Sequence, residues 1–587
     1  MFRNTKLQLL ATGAVLIATV SAICPVEGPL LARPTNLSKS IPVSAATRNL
    51  TKVLQSALNG TINPGFNTAN TSFSVGIVSL DSPSPIWEFH HRGTANVNGT
   101  SKVDADTQYL VGSISKMISN LMILRTGVDT EAKITEFVPE LKGKSAIDWE
   151  SITFEALGAH LSGIPPNSGF SEFYYLLPVL EQLGFPPLTK DDFPDCGVTA
   201  LNTACSKEQL LQNVLNYEPI APPFQRPVYS SFSLSLLAYA LQNITGNNYT
   251  ELLNEYVINP LGLVNTGASP GNTSRAAIPP IDSSWGGDYL DNTPGGGLFS
   301  SLSDLSIIAQ RTLNKSILST PAEVRKWLKP SSFTSSLNSL VGMPWEIFRS
   351  TNLTPSHPHT IDIYSKSGGA FGYTSQISLV DQYGIGIIVL TAGPADAQPI
   401  LSDLLAAMIL PAAEDEARTQ SAKYTNHLTA IDKTNVTIEM DLELDSGPGL
   451  KLKNFTRNGT SLLDSLEKFW SIAMVQFGPL DPDIRVHPAD ISNPAMMPNP
   501  SNSSTEIEVI KEEWLITFST QPNTAARIGS ELPGQGAMKD WCTSWQLAGW
   551  INWGGEPIDR CSSPVFEGDV KAINELKLET GVIEEEF

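Results

Sequence analysis

Two hairpin signatures, set far apart in the chain, decide most of what this sequence can fold into. Ser72 to Leu80 and Ile86 to His90 read as paired strands across the turn Asp81-Ser82-Pro83-Ser84-Pro85. Tyr373 to Val380 and Gly386 to Leu390 do the same across Asp381-Gln382-Tyr383-Gly384. Between and after them the apolar spacing is helical, as at Ile114 to Leu124, Leu234 to Gln242 and Leu401 to Leu410. The expected class is therefore α+β over residues 46–425: an antiparallel sheet built from both ends, flanked by helices, with a mostly helical subdomain inserted.

Beyond residue 430 the texture changes. Val436 to Leu444 alternates Val-Thr-Ile-Glu-Met-Asp-Leu-Glu-Leu, and Glu506 to Ser519 contains Ile-Glu-Val-Ile and Trp-Leu-Ile-Thr-Phe, strands with one wet face. Asp490 to Thr505, heavy in Pro, Asn and Ser, reads as a loop. Trp541, Trp545, Trp550 and Trp553 suggest a carbohydrate-binding surface, although core or interdomain packing is the expected role. A smaller β-rich accessory domain is predicted over 430–587.

Hydrophobic residues at 41% and charged residues at 17% give a chain able to bury a sizeable core. The charge sum, 38 minus 59 or −21, repels phosphate backbones and anionic headgroups, so nucleic acid is excluded as an expected partner. Residues 1–22 carry Arg3 and Lys6, an apolar run from Leu7 to Val20, and the small residues of Val20-Ser21-Ala22, the pattern of a secretory signal peptide. That run falls short of the ~20 residues needed to cross a bilayer, and no other segment approaches the length, so no membrane span is expected. Residues 23–45, rich in Pro, Ser and Thr, read as a flexible leader.

The cysteines fit the extracellular, oxidising compartment that a signal implies. Cys196 with Cys205 and Cys542 with Cys561 are close enough in sequence to pair as disulfides, leaving Cys24 odd. Glycosylation sequons stand at Asn36, Asn49, Asn59, Asn70, Asn98, Asn243, Asn248, Asn272, Asn314, Asn352, Asn435, Asn454, Asn458 and Asn502, as in a secreted eukaryotic glycoprotein.

The chemistry begins at Tyr109-Leu-Val-Gly-Ser113-Ile-Ser-Lys116, where a strand-like segment enters a helix. A spacing of three puts Ser113 and Lys116 on one helix face, with Ser113 at the positive N-terminal end. A buried lysine can lower its own pKa enough to take a serine proton, which makes a nucleophile without histidine. Downstream, Pro227-Val228-Tyr229-Ser230-Ser231 opens a helix and offers a phenol for proton transfer. Tyr364-Ser365-Lys366-Ser367-Gly368-Gly369 precedes the second hairpin and offers a cation, a hydroxyl and glycines that let a substrate approach the backbone. His160-Leu161-Ser162-Gly163-Ile164-Pro165 and Pro294-Gly295-Gly296-Gly297-Leu298 lie between.

This ordered set resembles the serine β-lactamase and penicillin-binding-protein superfamily, specifically the class C branch with its D,D-peptidase and esterase relatives. The resemblance covers residues 45 to 425 and implies a β-lactamase/transpeptidase-like fold; the whole chain resembles secreted fungal β-lactamase-like proteins with an extra C-terminal domain. It implies Ser113 as the acylated nucleophile, Lys116 as its proton acceptor, Tyr229 as general base and acid, and Lys366, Ser367 and Gly368 as the wall of the site. It also implies an oxyanion hole from the backbone N–H groups of Ser113 and Gly369, worth roughly 3 kcal/mol per donor. His160 and Gly163 are implied to shape a turn. Where the family has Tyr-x-Asn this chain has Ser231, a shorter group with fewer hydrogen bonds, so esters are expected to be better substrates than β-lactams.

Two competing motifs carry less. Gly267-Ala-Ser269-Pro-Gly271 fits a nucleophile elbow, but no buried strand leads in and Pro270 follows the serine. His90, His91, His357, His359, His427 and His487 invite a metal, with His357-Pro-His359 the best pair, yet nothing completes a ligand set, so neither metal nor cofactor is expected. The expected partner is a small-molecule ester, lactone or amide. A non-catalytic secreted protein that binds through the same pocket is the alternative; the joint presence of Ser113, Lys116, Tyr229, Lys366 and Gly368 favours the enzyme.

Overall fold

The computed structural model describes residues 28–143, 145–167, 176–189, 192, 196, 205–425, 427–431, 435–499, 502–520, 544–553 and 555–565. They fall into two compact units, residues 31–422 and residues 423–565 together with 28–30.

In the first unit, helix α1 (Ile41–Leu58) starts where Ser40 accepts a hydrogen bond from the Val43 N–H and Pro42 occupies the first turn. Its inward face is Val43, Ala46, Leu50, Leu54 and Ala57, a three-and-four spacing. Residues 37–45 are thus a 3₁₀ turn and the opening of a helix rather than part of a leader without structure. The Ser-x-Pro start signal outweighs the composition there.

The strands of this unit are β1 (Ser72–Ser79), β2 (Ser82–His91), β3 (Tyr109–Leu110), β4 (Gly267–Ala268), β5 (Leu298–Ser300), β6 (Ser332–Phe333), β7 (Ser339–Val341), β8 (Glu346–Ser350), β9 (Ile361–Ala370), β10 (Tyr373–Val380) and β11 (Ile385–Ala392). Eight of them form one antiparallel sheet in the order β2-β1-β11-β10-β9-β8-β7-β6, so N-terminal β1 pairs with C-terminal β11 from Ser72↔Ala392 to Ser79↔Ile385. The sheet is built from both ends of the segment, as the two hairpins require. Every residue of β1 and β11 is buried, because helices Leu302–Leu313 and Ala397–Ser421 pack on them.

The insert is helical. Helix α2 (Ile114–Thr126) is buried from Ile114 to Ile123, the polar Lys116 and Asn120 included, and the more apolar helix Phe232–Thr245 is buried from Phe232 to Leu241. A small sheet, β3-β5-β4, delivers the chain to the start of α2. Cys196 and Cys205 form a disulfide.

The second unit contains β12 (His427–Ile431), β13 (Thr437–Glu443), β14 (Leu450–Arg457), β15 (Thr460–Ser461), β16 (Arg485–Asn499), β17 (Asn502–Thr517), β18 (Asn552–Trp553), β19 (Glu556–Pro557) and β20 (Arg560–Val565). Its main sheet runs β12-β13-β14-β16-β17-β20, with helix Leu462–Ala473 beside it. Three expectations are corrected here. Asp490 to Asn499 and Asn502 to Thr505 are not a loop but the end of β16 and the start of β17, which pair as a hairpin. Pro488, Pro494 and Pro498 are tolerated because β14 reaches β16 only at Arg485 and Val486, leaving the rest of β16 an edge. Cys561 is a free thiol, not a bridge to Cys542: it is buried in β20 opposite Trp514, where burial pushes its pKa up to about 12. Cys542 itself, like Cys24, lies outside the described residues. The expected tryptophan packing fails at Trp545, which is 69% exposed, because it is Leu547 that turns inward from the short helix Ser544–Leu547, whereas Trp550, past that helix and 56% exposed, packs edge-on against Phe477 at 5.4 Å between ring centres. Trp541 and the Trp553 side chain lie outside what is described.

Of the sequon asparagines, Asn36, Asn49, Asn59, Asn98, Asn243, Asn248, Asn272, Asn314, Asn352, Asn435 and Asn458 are exposed and Asn70 and Asn454 half-buried; the Asn502 side chain is not among those described. Among the described residues no helix is long and apolar enough to cross a membrane.

Candidate active site

The site forms where β3 hands over to α2 against the end of β9. Gly112 takes a left-handed φ of +49°, which a side chain would disfavour, and a Cβ on it would sit 2.5 Å from the Gly369 carbonyl oxygen. A Cβ on Gly368 would sit 2.0 Å from the Val111 carbonyl and 3.0 Å from the Ser113 nitrogen. Glycines at both places let the Val111–Ser113 backbone lie directly along Gly368–Gly369, and Ser375 of β10 locks the contact by donating to the Val111 carbonyl at 2.8 Å. The amides of Ser113 and Gly369 therefore belong to facing stretches of backbone, and a Cβ on Gly369 would meet open space.

Ser113 caps α2 with no side-chain capping bond, which leaves its hydroxyl to other partners. One turn on, Lys116 donates to Ser113 Oγ at 3.1 Å and to the Gly295 carbonyl. Lys116 is 1% exposed. Burial is the largest cause holding its pKa below the usual lysine value, and the Lys366 charge adds to it against the opposing pull of Tyr229. The Gly295 carbonyl that accepts from Lys116 lies beside Ser231, the Gly295 Cβ position being 3.2 Å from Ser231 Cβ.

Tyr229 lies over both cations, its ring centre 4.8 Å from Lys116 Nζ and 5.4 Å from Lys366 Nζ. Burial pushes the phenol up, but the two lysine charges and hydrogen bonds with Ser113 and Lys116 outweigh it and leave the pKa below the usual tyrosine value. His160 holds this tyrosine from behind. Its ring packs on Tyr229 at 4.5 Å, its carbonyl accepts the Val228 N–H at 2.8 Å, and its Nδ1 accepts the Ser230 N–H at 3.2 Å. Burial, then Lys116 and Lys366, push His160 well below its usual pKa, so it stays neutral. Its own φ of +61° and the +73° of Gly163, where a Cβ would meet the Ala221 carbonyl at 1.9 Å, make the tight turn that allows this.

Lys366 and Ser367 lie on β9, and sequence reasoning missed what they meet. Glu346, the first residue of β8, forms an ion pair with Lys366 and accepts from the Ser367 N–H at 2.9 Å and its hydroxyl at 2.7 Å. Those groups pull the carboxyl below its usual pKa although burial pushes the other way. No local spacing announces Glu346; only the register Glu346↔Ser365 brings it to the wall.

The competing motifs are placed elsewhere in function. Ser269 is buried and donates to the Gly287 carbonyl at 2.7 Å, with no helix of the elbow kind after it. His359 spends Nδ1 on the His357 carbonyl and Nε2 on Gln382 and Tyr383.

A family model described as "Beta-lactamase" matches residues 83–407, and one described as "Beta-lactamase-like-like, C-terminal domain" matches residues 412–574. A beta-lactamase-like protein of Arthroderma benhamiae is 44% identical over 567 residues, covering 94% of each chain. The Phoma protein named "Probable hydrolase M10" is 25% identical over 544 residues, 88% of this chain and 86% of that one. The Cochliobolus lunatus protein named "Probable hydrolase clz13" is 23% identical over 566 residues, 91% and 87% of the two chains.

Proposed function

This chain belongs to the beta-lactamase family of serine hydrolases, and from that premise we propose that it cleaves esters, lactones or amides through an acyl-enzyme on Ser113. The observation that carries the reading is the contact of Lys116 Nζ with Ser113 Oγ at 3.1 Å, with the Tyr229 ring centre 4.8 Å from the same ammonium. In the first half-reaction Tyr229, as phenolate, takes the Ser113 proton as Oγ bonds to the substrate carbonyl carbon. The oxyanion is held by the Ser113 and Gly369 N–H groups. Collapse breaks the bond to the leaving alcohol, which takes the proton back from Tyr229. Water, deprotonated the same way, then releases the acyl group and returns the proton to Ser113; an alcohol in its place gives transfer.

Extracellular placement and glycosylation are part of the proposal. They rest on the first 22 residues and on the exposure of the sequon asparagines.

The test is a fluorophosphonate probe read by intact mass and peptide mapping, then p-nitrophenyl esters and a chromogenic cephalosporin. One adduct on Ser113 with ester turnover above cephalosporin turnover is expected. Folded protein that takes no adduct, or takes it elsewhere, leaves the binding-only alternative standing.

The pH profile follows from the two depressed groups. Lys116 and Tyr229 both lose their protons at lower pH than usual, so kcat/KM should be high above a limb that lies below the ordinary phenol value and fall as pH drops through it. The limb belongs to the pair. Tyr229→Phe should cost about 10²-fold and displace it; an unmoved limb at an unchanged rate removes Tyr229 from proton transfer.

A further inference from the structure

We propose that Glu346 fills, from within the chain, the place a substrate carboxylate would take on the wall of the site, so that the enzyme selects esters with no anionic group beside the scissile bond. The inference rests on the acyl-enzyme reading of Ser113 and names its substrate class.

The wall strand offers an incoming anion three donors: the Lys366 ammonium, the Ser367 hydroxyl and the Ser367 N–H. Glu346 engages all three, the ammonium through Oε1 and both Ser367 groups through Oε2. The β8–β9 ladder stops at the pair Glu346↔Ser365, so the N–H of Ser367, two residues further along β9, goes to this side chain. Exposure fixes the sign of the charge that a ligand meets. The Lys366 side chain is 1% exposed and the Glu346 side chain 42%, so of the paired charges it is the anion that solvent reaches. A carboxylate approaching Ser367 finds its hydrogen-bond donors taken and a like charge in place.

The second lysine does not restore a site for an anion. Lys116 Nζ is committed to Ser113 Oγ and the Gly295 carbonyl, and Tyr229 covers it. A neutral ester loses nothing by this arrangement, because its oxyanion is served by backbone amides rather than by the wall cation.

The test compares two matched pairs of substrates. On the leaving-group side these are 3-carboxyphenyl acetate and its methyl ester, 3-(methoxycarbonyl)phenyl acetate. On the acyl side they are mono-p-nitrophenyl adipate and its methyl ester. The parent enzyme should favour the neutral member of at least one pair by about tenfold in kcat/KM, a margin that narrows with added salt. Glu346→Gln keeps the shape and frees Lys366, and should raise the anionic member about tenfold relative to the neutral one. Glu346→Asp, which keeps the charge, should retain the parental preference, and melting curves establish that both variants fold. A parent that prefers the anionic members, or a neutral-to-anionic ratio that Glu346→Gln leaves unmoved in both pairs, overturns the proposal. If Glu346→Gln does not fold, a parental preference that is absent or insensitive to salt overturns it equally. The failure is told apart from that of the parent reading by the fluorophosphonate adduct: labelled Ser113 with an unmoved ratio sinks this inference alone, whereas unlabelled Ser113 sinks both.

Discussion

Ser113→Ala is expected to fold as the parent does and to turn over its ester at a rate lower by about 10⁴-fold or more, since a covalent mechanism has no substitute for its nucleophile. The fold should survive because Ser113 caps α2 without using its side chain, and an alanine fits where a half-buried serine sat. Lys116→Met should lose about 10³-fold or more while behaving differently in stability. Methionine keeps the stem and discards a buried ammonium whose desolvation costs several kcal/mol. Against that stands the Gly295 carbonyl left without its donor, about 1–3 kcal/mol. The first magnitude is the larger, so Tm should equal or exceed the parental value as activity disappears. Thermal melts beside steady-state kinetics decide it. A Lys116→Met protein that keeps parental kcat, or a Ser113→Ala protein that does, overturns the mechanism.

The division between what the sequence carried and what only the fold supplied follows the range of the interactions. Ser113 with Lys116 is one helical turn, and the hairpin Tyr373–Val380 with Ile385–Ala392 is one short connection, so local spacing was enough for both. The joining of β1 to β11 could be inferred because two hairpins with apolar strands had to share a sheet. Glu346 could not be found that way: it acts on Lys366 and Ser367 through a strand register that depends on where β8 begins. The role of Gly295 was hidden for a related reason, since a backbone carbonyl has no sequence signature and only its approach to Ser231 and Lys116 gives it a function. His160 was readable as a turn residue, but its hold on both neighbours of Tyr229 needed the positive φ to be seen. In the second unit, composition misled over Asp490–Thr505 because proline is judged by whether its strand has a neighbour on that side, and sequence does not say.

Gly368→Ala tests the contact on which the proposed oxyanion hole depends, and its expected effect is nearly as large as loss of the lysine. The added methyl would lie 2.0 Å from the Val111 carbonyl oxygen and 2.6 Å from Ser375 Oγ, closer than atoms can approach. One of the two is backbone and cannot swing aside, so β9 must draw back from the segment that ends in Ser113. Overpacking of this kind costs about 1–3 kcal/mol, which should lower Tm by several degrees. The catalytic cost is separate and greater in consequence: moving one of two facing backbone donors away from the other removes the equivalent of an oxyanion contact, about 10² to 10³ in kcat. Gly369→Ala is the control that separates crowding from mere loss of a glycine. Its Cβ points into open space, and its backbone is not in the left-handed region, so it should melt with the parent and retain its N–H donor. If Gly368→Ala keeps parental kcat, the facing backbones of Val111–Ser113 and Gly368–Gly369 do not form the oxyanion hole, and the stabilisation of the tetrahedral intermediate must come from elsewhere in the site.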